Sequence, residues 1–268
     1  MDRYALINGV RLHYREWGDT TAGLVIALHG SRGHCHTFDR YAPPLSEHFR
    51  VVAPSIRGHG NSDWADPNSY SFEQLAEDVL GLSKALGADR FAISGQSLGG
   101  IIGSYCASKY PMNVSKLILG DIGPDTQEQY ENAINAPQMP RSSAPSHDAF
   151  MEFTRRFVDS PVHHALLFEN LAMLQEDGSW TSRGDPAFFD HIQRPTVEEF
   201  WERVNAIECA TLLLRGENST FLDRDVALQM ENSMRDCTLV EIEGVGHPLL
   251  TEAEEALLEH SLKFLVGV

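Results

Sequence analysis

Ser97 stands between Gly95 and Gly99 in FAISGQSLGG (91–100), a glycine–x–serine–x–glycine pattern that closes an apolar run and opens a helical one. A serine on so sharp a turn needs neighbours two positions away with almost no side chain. The turn lifts the hydroxyl above a sheet edge, and the helix behind it aims its first amides at the same place. A serine hydroxyl attacks poorly until a base takes its proton. Of the 12 histidines, His247 in EGVGHPLL (243–250) is the candidate base, because it follows the last apolar run and precedes the final helix. In ALHGSRG (27–33), His29-Gly30 permits a tight turn, so that the Ser31 amide can converge with that of Leu98. Two such N–H groups make an oxyanion hole, each worth ~3 kcal/mol of transition-state stabilisation. Taken singly, the first pattern is a glycine-rich strand–helix turn and the second a strand ending. Together they point to acyl transfer.

Those residues need a sheet to carry them. Residues 4–7 and 11–16 alternate around Asn8-Gly9, a hairpin signal. Short apolar runs follow at 24–30, 49–55, 90–95, 116–121, 211–216 and 238–244, each suited to a strand covered on both faces. Helical stretches at 71–86 and 98–110 lie between them, and 252–266 reads as one closing amphipathic helix. Alternation of this kind predicts an α/β fold with a mostly parallel sheet. Between Gly123 and about Glu208 the rhythm breaks: no strand is evident, and apolar residues recur at helical spacing. So long an interval is not a loop in a compact domain. The expected organisation is a core of 1–123 and 209–268 with a helical cap of 124–208.

With 268 residues and a formal net charge of −17, nucleic acid and anionic membranes are unfavourable partners; a small-molecule substrate is expected. The four cysteines, Cys35, Cys106, Cys209 and Cys237, are scattered, with no pair at metal-ligand spacing, which suggests reduced thiols in small core positions. No leader-like N-terminal segment or membrane-length apolar run is visible, so the expected location is cytoplasmic. No phosphate loop, metal cluster or nucleotide fingerprint appears, and the expected cofactor is none. Oligomeric state is not legible.

LHGSRG, RVVAPSIRGHGNSDW, GQSLGG, LGDIGP and GVGHPLL occur in an order and spacing that resemble the α/β-hydrolase fold superfamily over essentially the whole chain. The resemblance implies an eight-stranded, mostly parallel sheet flanked by helices, with a helical cap after strand 6. It also implies Ser97 as nucleophile, His247 as base, and the Ser31 and Leu98 amides as oxyanion hole. One departure is Ser55, where the family's loop after strand 4 usually begins with aspartate; this is read as structural.

The acid of such a triad is the second departure. In the commoner arrangement it follows the seventh strand, three residues past the turn glycine, and counting from Gly216 gives Ser219; one position later is Thr220. Glu217 is misdirected at the turn, and Asp223 and Asp225 suit the start of the next helix. In LILGDIGPD (117–125), Asp121 ends the strand after the nucleophile's helix, and a carboxylate there can approach the imidazole from the neighbouring side. The turn RGENSTFL resembles members such as (E)-2-(acetamidomethylene)succinate hydrolase and certain small acyl and thioester hydrolases, in which a serine-bearing turn replaces the usual aspartate. Asp121 is therefore the assigned acid, with Asp125 as its nearest substitute; a turn-capping role is the competing reading.

The expected protein is a capped serine hydrolase of small-to-medium carboxylic esters working through an acyl-enzyme, with amides, thioesters and activated C–C bonds behind. Lyase or cofactor-independent oxygenase chemistry and a non-catalytic binding module are the rival classes. Dehalogenase and epoxide-hydrolase chemistry is disfavoured, since its nucleophile is an aspartate where this chain has Ser97. Arg32, His34 and His36 could meet an anionic substrate or simply form a polar loop. Arg155, Arg156, His163 and His164 read first as a solvated helix face, and Phe150, Phe153, Phe157 and Phe168 as packing or an acyl pocket.

Overall fold

Residues 1–124, 143–155, 158, 160–192 and 195–267 are described by a computed structural model. The chain opens with a hairpin, β1 (Asp2–Ile7) and β2 (Val10–Trp17). Its turn uses Asn8 and Gly9, both at positive φ (47° and 78°), which matches the twist of the flanking strands. The remaining strands are β3 (Leu24–Leu28), β4 (Arg50–Pro54), β5 (Phe91–Gln96), β6 (Val114–Gly120), β7 (Ala172–Leu174), β8 (Trp180–Ser182), β9 (Ala210–Gly216) and β10 (Cys237–Ile242). Eight of them form one sheet in the order β1-β2-β4-β3-β5-β6-β9-β10. Only the β1–β2 and β2–β4 pairings are antiparallel; the others are parallel.

The central strands read as continuous apolar runs because both faces are covered. In β3, Leu24, Ile26 and Leu28 enter one buried cluster while Val25 and Ala27 enter another on the opposite face. That is the period-2 alternation of a strand with two cores. Helices α1 (Ala42–Leu45), α2 (Phe72–Ala85) and α3 (Leu98–Lys109) follow β3, β4 and β5 in turn. Ser71 caps α2, its side chain accepting a hydrogen bond from the Gln74 amide. No helix among the described residues is long and apolar enough to cross a membrane. Cys35 and Cys106 are buried, Cys209 and Cys237 half-buried, and all four are free thiols.

Between β6 and β9 the described residues carry α4 (His147–Thr154), α5 (Pro161–Phe168), the strands β7 and β8, α6 (Pro186–His191) and α7 (Val197–Asn205). The antiparallel β7–β8 pair is a difference from the all-helical expectation. Each strand is three residues long, too short for alternation to show. Ala144, Phe150, Phe168, Leu171 and Ala172 form a small core of their own. Phe188, Ile192, Phe200, Val204 and Ile207 instead join the main core. The C-terminal helix also differs from expectation. After α8 (Arg224–Ser233), a short α9 (Leu249–Glu252) and α10 (Glu254–Val266) meet at Ala253, whose non-helical backbone (φ −140°, ψ 41°) breaks the helix.

Candidate active site

Ser97 sits between the last residue of β5 and the first of α3 at φ 53°, ψ −119°, a conformation that L residues avoid. Its amide donates to the Gly120 carbonyl at 3.0 Å, which pins the turn to the neighbouring strand end. The flanking glycines are required by packing. A Cβ on Gly95 would lie 2.3 Å from the Gly99 carbonyl oxygen, and one on Gly99 would lie 2.1 Å from that of Leu28. Gly30 is in ordinary contact, its Cβ position 3.5 Å from Ser97 Cβ, so the loop after β3 passes beside the serine.

That loop is braced by His29. Its Nδ1 faces the Gly30 carbonyl at 2.8 Å, and its Nε2 accepts a hydrogen bond from the Ile56 amide at 3.0 Å. Complete burial drives its pKa well down, so the ring is neutral. Neither the Ser31 nor the Leu98 amide has an acceptor among the described residues. Ser55 is fully buried and its hydroxyl accepts from the Cys35 amide at 3.1 Å.

His247 lies on the loop between β10 and α9. Gln96, one residue before the serine, holds it at both ends: Nε2 donates to the His247 carbonyl at 2.9 Å, and Oε1 accepts from the Leu250 amide at 3.3 Å. The imidazole stacks on Phe221, with centroids 3.8 Å apart and planes at 19°. Its Nδ1 is 2.7 Å from Asp121 Oδ2. An ionised carboxylate only accepts, so the proton sits on Nδ1 and Nε2 keeps its lone pair. No hydrogen bond joins the Ser97 hydroxyl to this ring among the described residues; such bonds often tighten only when substrate is present.

Asp121 is wholly buried, at φ 50°, where aspartate is tolerated better than most residues. A buried carboxylate must be compensated by donors. Three are present: the His247 ring, the Gly216 amide at 3.1 Å to Oδ1, and the Ser219 hydroxyl at 2.5 Å to Oδ2. Ser219 Oγ in turn accepts from the Phe221 and Leu222 amides at 3.0 and 3.2 Å. The residue at the usual acid position thus braces a carboxylate that comes from β6. Glu217 accepts from the Gly244 amide at 2.8 Å and Asp223 caps α8, so both are engaged elsewhere.

The structure therefore joins His247 to Asp121, sets Ser97 and Leu98 beside them through Gln96, and runs the loop that carries Ser31 past the serine, at the ends of β3, β5, β6 and β10. Gln96, Ser219 and Phe221 join them unforeseen; only Ser219 had left a trace, as the serine where an acid was sought. Asp125, Arg156 and Phe157 lie outside the described residues. Arg155 pairs with Glu152 at the surface, and Phe150 and Phe168 are buried in the insertion's core. His164 is buried and bonds Thr154, while His163 contacts Ser160. His34 reaches the insertion through its Nε2, 2.7 Å from the Leu167 carbonyl. Arg32, at φ 64°, lines a cavity of about 260 Å³ with His59, Trp64, Met173 and Phe189 among its walls.

The family described as alpha/beta hydrolase fold matches residues 23–254. A 3-hydroxybutyrate-oligomer hydrolase of Cupriavidus necator is 28% identical, over 88% of this chain and 87% of the relative. An esterase of Mycobacterium tuberculosis is 26% identical, over 91% and 82% respectively. Among solved structures, E-2-(acetamidomethylene)succinate hydrolase superposes with a TM-score of 0.88 at 22% identity, covering 99% of both chains. The fold, the matched span and the hydrolase relatives agree, and this chain belongs to the alpha/beta-hydrolase fold family.

Proposed function

We propose that the protein is a serine hydrolase of small-to-medium carboxylic esters that acts without a cofactor, through an acyl-enzyme. His247 Nε2 takes the Ser97 proton as the hydroxyl oxygen attacks the ester carbonyl. The Ser31 and Leu98 amides receive the negative charge on the carbonyl oxygen, and Asp121 fixes the ring and balances the imidazolium. Collapse of the tetrahedral intermediate returns the proton to the departing alcohol and leaves the acyl group on Ser97. Water then attacks with the same base, releasing the acid and restoring the hydroxyl. The 2.7 Å contact between His247 and a buried carboxylate, beside a serine on a strained turn, carries this reading. The esterase among the relatives favours ester substrates over amides, thioesters and C–C bonds. In this reading the segment between β6 and β9 acts as a cap.

The test is labelling by a fluorophosphonate with turnover of a series of acyl esters. Stoichiometric labelling at Ser97, with both labelling and turnover lost in Ser97→Ala, is the expected result. Ester turnover that survives in Ser97→Ala, or a wild-type protein that takes no label, would overturn the proposal.

A further inference from the structure

A second group of chemically capable side chains lies at the other end of the loop that follows β3. Strand alternation puts His13 and Arg15 on one face of β2, and pairing across the hairpin sets Asp2 opposite Arg15 on β1. The single-turn segment Cys35–Phe38 packs over that face, bringing Cys35 and His36 to it. Asp2 Oδ1 is 3.0 Å from His13 Nε2 and 3.5 Å from His36 Nε2, and Cys35 Sγ is 3.4 Å from His13 Nδ1. One donor atom from each of the four residues falls within 4.8 Å of all the others.

We propose that Asp2, His13, Cys35 and His36 bind one divalent transition-metal ion of the zinc class. A tetrahedral zinc ion holds nitrogen and oxygen at about 2.0–2.1 Å and sulfur at about 2.3 Å, so its donors stand roughly 3.3–3.7 Å apart. Two of the observed spacings, 3.0 and 3.5 Å, already approach those edges, and with all four donors within 4.8 Å of one another the thiol would move inward as the ion binds. The donor types exclude calcium and magnesium, which take oxygen shells, and suit zinc, cobalt or copper.

The surroundings agree. Asp39 Oδ2 lies 3.0 Å from His36 Nδ1, the ring nitrogen turned away from Asp2, and so stands where outer-shell carboxylates of metal sites orient a ligating imidazole. The other Asp39 oxygen is buried without a hydrogen-bond partner among the described residues. Arg15 also faces Asp39 and lies 3.0 Å from His36 Nδ1. His13 and Cys35 are buried while Asp2 and His36 are more open, which gives an ion an entry side and a closed floor. Bound metal would fasten the N-terminal strand to the segment following Ser31 and Arg32. This site does not depend on the chemistry proposed for Ser97.

The test is titration of tag-free, chelator-stripped protein with cobalt(II) alone, followed by competition with zinc(II). One cobalt per chain is expected, with tetrahedral ligand-field bands and a thiolate-to-cobalt charge-transfer band. Cys35→Ser should remove the charge-transfer band. Asp2→Asn combined with His36→Ala, at the open side where folding is least at risk, should weaken binding by more than the about 10–100-fold typical of an outer-shell partner. Failure to bind one equivalent of either metal, or binding that both variants leave unchanged, would overturn the proposal.

Discussion

The strand-end turns around Ser97 and the segment between β6 and β9 are built on opposite plans. At the turns, hydrogen bonds hold the groups around the histidine: Gln96 grips the histidine loop twice, and Asp121 receives three hydrogen bonds. Positive φ at Ser97 and Asp121 is held in place by strands on either side. Strain of that kind persists only where the surroundings over-determine it. The first half of the insertion instead has a small core of its own, and among the described residues separate polar contacts join the insertion to the sheet domain. His34 to the Leu167 carbonyl and Trp64 to the Arg183 carbonyl, at 2.7 and 3.0 Å, are two of them. In the proposed function the chemistry belongs to the strand ends and the choice of substrate to the insertion.

The two regions should therefore respond differently to mutation. Ser97→Ala has the largest expected effect, a fall in ester turnover of about 10⁶-fold, as for loss of a nucleophile that acts as one unit with its base. Ser219→Ala removes a donor to Asp121 and the acceptor of two backbone amides. Losing one hydrogen bond to a charged group costs about 1.5–3 kcal/mol, so kcat should drop roughly 10–100-fold with little change in KM. Phe168→Ala in the insertion should cost about 3–5 kcal/mol of packing, felt as faster hydrogen exchange in α4 and α5. Its fluorophosphonate labelling rate at Ser97 should stay that of the wild type while KM across acyl-chain length shifts. Labelling that slows as much as in Ser219→Ala would erase the distinction between the regions.

A smaller effect is expected from acid. Burial pushes His59 down to about 4, against a carbonyl hydrogen bond from Arg57 that raises it. The unfolded chain then binds a proton between about pH 6.5 and 4 that the folded chain refuses, so stability is full above that window and falls as pH drops through it. His59→Gln should make the dependence of the urea midpoint on pH less steep between those limits, the rest of the slope coming from His29 and His34, which burial lowers in the same way. An unchanged slope would show that the ring titrates normally in the fold.

Much of the scaffold could be read from the chain, because its strands are continuous apolar runs ended by Gly, Ser or Asp. The elbow at Ser97 and the loop at His247 were legible for the same reason: glycine spacing and chain position encode them. Strands β7 and β8 were not, since three residues cannot display a period. Nor was the break at Ala253, since alanine is an excellent helix former and carries no local stop signal. Gln96 and Phe221 escaped because their roles come from neighbours more than 100 residues away for one and a ring stack for the other. The Asp2–His13–Cys35–His36 cluster shows the same limit: no local spacing joins residues that only sheet pairing and a loop bring together.

The central claim is that the carboxylate from β6 steadies the imidazole carried on the loop after β10. Its most direct measurement is kcat/KM for an activated ester in Asp121→Asn, alongside the variant's urea midpoint. A loss of about 10⁴-fold with a cooperative, wild-type-like unfolding transition is the predicted result. A folded Asp121→Asn protein that turns over ester at close to the wild-type rate would contradict it.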